Sequence, residues 1–140
     1  MKITRSITVD ASPDTVWGIT IDVERWPEWS PNIERVKRLD AGRFDVGSKA
    51  LIKQLGLPEA TWQVSSMTSG KAFTWDTRVR GITMIGSHLV EPVAGGTRSI
   101  LGLELKGFVA WTLWPLLRRS IGSALDTENK GLKSACEGKG

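Results

Sequence analysis

Between Phe108 and Cys136 the apolar positions of this chain recur at steps of three and four. Trp114, Leu117, Ile121, Leu125 and Leu132, with Glu128 as the one charge among them, fall on one side of a 3.6-residue spiral. Arg118, Arg119, Asp126, Lys130 and Lys133 fall on the opposite side. The spacing predicts one long helix over 108–136. Such a helix must lay its apolar face on something.

The rest of the chain supplies that surface. Met1 to Asp10 reads as a strand, with Ile3, Ile7 and Val9 apolar. Ser12 then offers an N-cap, Pro13 suits the first helical position and Asp14 favours the positive end of the helix dipole. Val16, Trp17 and Ile21 give this short helix an apolar side. Asp22 is placed to cap a second short turn, and Pro27 and Pro31 prevent a longer one. From Ile33 onward six strand-like segments follow, IERVKRLD, SKALIKQL, ATWQVSSM, KAFTWDTRV, ITMIGSHLVE and TRSILGLELKG, joined by short turns. Short turns imply an antiparallel meander. The first strand is expected to close the sheet edge beside the last. The predicted class is α+β: a curved seven-stranded antiparallel sheet, two short helices, and the long C-terminal helix across the concave face. A curved sheet and a helix cannot touch everywhere, so bulky side chains or a ligand must fill the space between them.

Register decides which side chains face that space. Pairing Pro92 with Thr97 across Ala94-Gly95-Gly96 sets Glu91 opposite Arg98, a favourable charge pair. It sets His88 opposite Leu101, Gly86 opposite Leu103 and Met84 opposite Leu105, and this is taken as the inner face. Glu104 then falls outside; read as a buried base, it would need a one-residue slip. Around Ser69-Gly70, Val64 is expected opposite Trp75, Trp62 opposite Thr77, and Ser66 opposite Phe73. Trp62, Val64, Phe73 and Trp75 would form an aromatic patch facing the helix, either a ligand wall or ordinary core. The expected cavity set is that patch with Met84, His88, Leu101 and Leu103 from the strands and Trp114, Leu117 and Ile121 from the helix.

Composition narrows the function. The 140 residues are read as one domain, 1–140, large enough to bury roughly two thirds of its unfolded surface. Seven Trp against three Phe and no Tyr suit either ligand stacking or a heavy aromatic core. The net charge is +4, but no basic block interleaves with the Trp residues, so no nucleic-acid partner is expected. One Cys and one His leave no internal disulfide, and neither a metal nor a cofactor is expected. The start lacks a secretory signal pattern and Glu104 and Lys106 interrupt the most apolar window, so neither export nor a membrane span is expected, and the default location is the cytoplasm. The sequence assigns no oligomeric state.

Some residues carry candidate chemistry. His88 is the only side chain that ordinarily titrates near neutral pH, which makes it a candidate acid-base group; the alternative is a hydrogen-bonded wall residue. Asp22, Trp26 and Trp29 form either a mouth or a turn cap with two aromatic covers over the core. Trp111, Trp114, Leu116 and Leu117 ahead of Arg118-Arg119 form an apolar-then-basic pattern suited to weak contact with a membrane surface or a partner, or to filling the space under the helix. Gly122 and Gly131 lower helix propensity by up to about 1 kcal/mol each, giving the helix play or close packing. Glu137 to Gly140 reads as a frayed tail.

Three stretches carry a resemblance over about residues 2 to 137. They are ASPDTVWGITIDVERWPEWSPNI with its D-x-x-x-W-x-x-W-x-P turn, HLVEPVAGGTR, and the closing ENKGLKSACE. Their order and spacing resemble the polyketide cyclase/dehydrase branch of the START-like (SRPBCC, Bet v 1-like) superfamily. The resemblance implies a helix-grip fold around a hydrophobic cavity. Members include lipid carriers, hormone receptors and cyclase-aromatases, so it implies a pocket rather than a reaction. The first reading is a binder of a small hydrophobic molecule such as a lipid, an isoprenoid or a polyketide. The second is a cyclase or dehydratase with His88 as acid-base. The third is a membrane-surface or partner-binding module.

Overall fold

The structure is a computed structural model and describes residues 1–138. Strand β1 (Lys2–Val9) leads into helix α1 (Pro13–Ile21) and a 3-10 turn (Val23–Glu28). Strands β2 (Ile33–Arg38), β3 (Lys49–Gln54), β4 (Ala60–Thr68), β5 (Ala72–Val79), β6 (Ile82–Val93) and β7 (Gly96–Lys106) follow, and helix α2 (Phe108–Cys136) ends the fold. The seven strands form one antiparallel sheet in the order β1-β7-β6-β5-β4-β3-β2. The sheet curls into a half-barrel and α2 lies across its concave side, a helix-grip architecture as expected.

Local chemistry explains the elements. The Ser12 hydroxyl accepts a hydrogen bond from the Thr15 N–H at 3.2 Å and Pro13 opens α1, so the helix starts where its cap sits. Asp22 makes no side-chain cap; the 3-10 turn is instead closed by backbone bonds, among them Arg25 N–H to the Asp22 carbonyl at 3.1 Å. The β5–β6 connection turns on Arg80 and Gly81, both in the left-handed region at φ 52° and 81°, which suits the twist of a tight hairpin.

The β6–β7 register is the expected one, with Pro92 opposite Thr97, Glu91 opposite Arg98 and His88 opposite Leu101. Val64 does face Trp75, but Phe73 faces Met67, and Ser66 pairs with Thr74. The cause is a bulge at Ser65, which leaves Ser65 and Ser66 both on the outer surface, with hydroxyls bonded around Thr74. Simple alternation from the turn therefore misplaces Ser66 by one residue.

A single buried polar residue locks α2 onto the sheet. Asn129 accepts from the Ser99 hydroxyl at 3.1 Å and donates to the Arg5 carbonyl at 3.1 Å. It thus ties the helix to β7 and β1 with its amide satisfied on both ends. Arg5 adds an ion pair to Asp126 at 3.5 Å. Lys133, expected on the free side, donates to the Thr8 carbonyl at 3.2 Å and to Glu137 at 2.5 Å. Glu137 in turn accepts the Asp10 N–H at 2.8 Å. The expected frayed tail is therefore held at Glu137; Lys139 and Gly140 lie outside the described residues.

The two helix glycines differ in what close packing asks of them. A β-carbon at Gly131 would overlap the Trp29 carbonyl, which is backbone and cannot give way, whereas at Gly122 it would meet only the far end of the long Arg5 side chain. Helix propensity alone makes Ala better than Gly by about 1 kcal/mol at both sites. Packing reverses that sign at Gly131. We expect Gly131→Ala to cost about 2 kcal/mol, lowering the melting temperature by roughly 6 °C, and Gly122→Ala to be neutral or stabilising. Thermal denaturation of both variants checks this; equal effects at the two sites would contradict it.

Candidate functional site

A helix laid over a curved sheet leaves a hollow, and aromatic rings occupy one end of it. Phe73 is fully buried at the centre, with the His88 ring stacked on it at 4.4 Å and 7°. Trp17, Phe44 and Trp75 meet Phe73 edge-on at 6.3, 5.2 and 5.5 Å. Trp75 packs in turn on Trp26 at 5.3 Å and on Trp62 at 5.7 Å. Gly86 makes room for this: a β-carbon there would stand 3.3 Å from the Trp75 ring. The Trp26 N–H, which would otherwise be an orphan donor, reaches the Thr20 carbonyl at 3.0 Å.

Beyond these rings a cavity of about 470 Å³ remains between the sheet and α2. Trp26, Trp62, Trp75 and His88 form its floor. Leu101 and Leu103 of β7 form one wall, and Leu117, Ile121, Leu125 and Glu128 of α2 form the other. Gln54 to Leu57, in and after β3, make the rim, where Leu55 is 55 % exposed. The tryptophans thus divide their labour. Trp17 is pure core, Trp26, Trp62 and Trp75 show a face to the cavity, and Trp111 is exposed.

Of the residues expected at the cavity, Trp62, Trp75, His88, Leu101, Leu103, Leu117 and Ile121 line it. Val64, Phe73 and Met84 are buried in the packed core instead, and Trp114 packs partly buried against that core. Glu104 sits on the other face of β7, opposite Ile85. The D-x-x-x-W-x-x-W turn is split: Trp26 faces the cavity, while Asp22 and Trp29 line a separate groove of about 620 Å³ beside the end of α2. That groove is larger, but its charges already pair with one another, Arg25 with Glu28 at 2.8 Å. The smaller cavity is the one with unmatched polar groups.

Two such groups are neutral side chains. Among the described residues the His88 Nδ1 and the Ser30 hydroxyl are buried without a hydrogen-bond partner, and both residues line the cavity. Each orphan costs roughly 1–3 kcal/mol until something bonds to it. The third is Glu128. It has no hydrogen bond or ion pair among the described residues, and the surface it retains faces the cavity. His88 and Glu128 are the two titratable residues that line the space. Burial favours the neutral form of both: it pushes the imidazole down to about 3 and the carboxyl up to about 7. Glu128 was visible in the sequence as the one charge on an otherwise apolar helix stripe, the signal that marks it out.

These features define a helix-grip protein with a partly filled, mostly apolar pocket. The chain belongs to the polyketide cyclase/dehydrase and lipid transport family, whose model matches residues 1–137. No curated protein matches the sequence. Among solved structures, the ZhuI aromatase/cyclase of Streptomyces sp. R1128 superposes with a TM-score of 0.75 at 15% identity, covering 98% of this chain and 93% of that one. A START superfamily protein of Mycobacterium smegmatis gives 0.75 at 18%, covering 99% of each chain. A hypothetical protein of Helicobacter pylori gives 0.84 at 11%, covering 97% of this chain and 88% of that one. At these identities the superpositions show the shared fold. Among the described residues no helix is long and apolar enough to cross a membrane, and no three His, Cys, Asp or Glu side chains gather as a metal site.

The two cavity groups pull stability in opposite directions with pH. His88 is depressed, so its contribution is complete above about 6.5 and is lost as pH falls toward about 3. Glu128 is raised, so the unfolded chain ionises from about 4.5 while the folded one resists until about 7. Stability therefore declines as pH rises through that window, by about 3 kcal/mol at most. We expect Glu128→Gln to melt higher than the parent protein near pH 8.5 and to match it near pH 4.5. Parallel melting curves at both pH values would show that Glu128 is solvated.

Proposed function

We propose that this protein binds a small hydrophobic molecule, of lipid, isoprenoid or polyketide type, with a hydrogen-bonding group that turns toward His88, Ser30 and Glu128. The observation that carries this reading is the 470 Å³ cavity itself. Its volume falls among ligand sites, roughly 300–1,000 Å³, and its pattern is theirs: apolar walls with a few polar groups. A guest that bonded to Ser30 or His88 would recover the cost of the orphaned atoms. The description of the family, with its cyclases, dehydrases and lipid carriers, supports the same class of guest.

Ala124 gives a clean test, because it lines the cavity yet is exposed at its edge on α2. Ala124→Trp is expected to leave the melting temperature unchanged. It is also expected to weaken binding of a fluorescent fatty acid or a naphthyl ketone by at least about tenfold, by filling the rim. Native mass spectrometry of material that co-purifies with the protein identifies the natural guest. A parent protein that takes up no apolar compound in either assay overturns the reading.

One observation favours a second reading, a cyclase or dehydratase. Glu128 shares the cavity with His88, and near neutrality it is the member of the pair poised to move a proton. A buried neutral imidazole suits hydrogen bonding to the ketone carbonyl, while the Glu128 carboxylate takes the α-proton and returns it to the departing hydroxyl, so that the C=C bond forms, water leaves and the carboxylate is regenerated. Acid-base work thus falls more on Glu128 than on His88. On a β-hydroxy ketone mimic, Glu128→Gln is expected to lose at least about a hundredfold in dehydration while still binding the compound. If the parent protein turns over no such mimic, the binding reading stands alone.

A further inference from the structure

The start of α2 is apolar on the side turned away from the sheet. Phe108 is 76 % exposed, Trp111 66 % and Leu116 76 %, with Val109 and Leu113 beside them. Phe108, Thr112, Pro115 and Arg119 follow at steps of four and three, so they share the outward face. Ala110 is fully buried, and Trp114 and Leu117 are half-buried, turned toward the sheet. The exposed set therefore differs from the four residues expected from the sequence: Phe108 replaces Trp114 and Leu117.

The charge around this patch has one sign. Lys106 precedes it, Arg118 and Arg119 follow it, and Arg80 stands in the β5–β6 turn against which α2 begins. No acidic residue occurs in the chain between Glu104 and Asp126. These four cations are exposed, and none has an ion pair among the described residues. Helix α2 also starts with no side-chain cap and no acid in its first turn, so the positive end of its dipole points the same way. Two copies meeting through this patch would set cation against cation. The complementary surface is apolar beneath and negative at its face.

We propose that this end of α2 docks on an anionic lipid bilayer. Phe108, Trp111 and Leu116 enter the boundary between headgroups and acyl chains, and Lys106, Arg118 and Arg119 meet the phosphates. The same helix continues into the cavity wall at Leu117 and Ser120, and the exposed Leu55 lies on the rim. Docking therefore brings the opening of the cavity to the lipid. This inference stands on surface residues and holds whatever the cavity binds.

The experiment is co-sedimentation with vesicles of equimolar phosphatidylglycerol and phosphatidylcholine, and with phosphatidylcholine alone. The expected result is binding to the anionic vesicles at least about tenfold tighter than to the neutral ones, reversed by high salt. Trp111→Ser combined with Leu116→Ser should lower that binding at least about tenfold with an unchanged melting temperature. Arg118→Ser combined with Arg119→Ser should weaken it and reduce its salt dependence. Absence of vesicle binding, equal binding to both vesicle types, or unchanged binding by the apolar double variant overturns the proposal. So does a dimer in sedimentation velocity that the apolar double variant dissociates, since that result makes the patch a contact between copies.

Discussion

A helix cannot follow a curved sheet along its whole length, and this mismatch shapes the molecule. Helix α2 meets the sheet closely at its two ends. At the start, Gly107 comes up against the Gly81 carbonyl in the β5–β6 turn, and Ala110 is fully buried. Toward the finish, Asn129 bonds to β7 and β1, and Gly131 lets Trp29 touch the helix backbone. Small residues at both ends permit these approaches. Between them, Leu117 to Glu128 spans a space that no element can close, and there the apolar stripe of the helix looks into a hollow.

The aromatic residues decide how much of that space survives. Phe73 is the hub on which Trp17, Phe44, Trp75 and the His88 ring converge. Their packing fills one end of the half-barrel. The same packing strips water from His88, which fixes its imidazole in the neutral form and leaves its Nδ1 without a partner. Core and site are thus one structure: the rings that stabilise the sheet also set the polarity of the pocket floor.

Much of this was legible in the sequence. The 3.6-residue stripe fixes the bounds of α2, and the turn at Ala94-Gly95-Gly96 fixes the β6–β7 register down to His88 opposite Leu101. Alternation could not reveal the bulge at Ser65, because Ser-Ser has no apolar member to mark the slip. Nor does periodicity tell a wall residue from a core residue on the same face. Trp62 and Phe73 share that face, but depth along the sheet, set by long-range curvature, puts only Trp62 on the cavity. Glu137 was missed for a related reason: its partner, the Asp10 N–H, is distant in the chain and carries no side-chain signature.

The absence of a side chain at position 86 has one more consequence. Gly86 leaves the Trp75 indole free to lie back against β6, and the hollow begins where that ring stops. Even a methyl group there would crowd the ring and press it outward into the vacant space. The depth of the chamber is therefore set in part at Gly86, a backbone position on the chamber's own wall. A side chain at that one position would reshape the space while every surrounding ring stayed in the sequence.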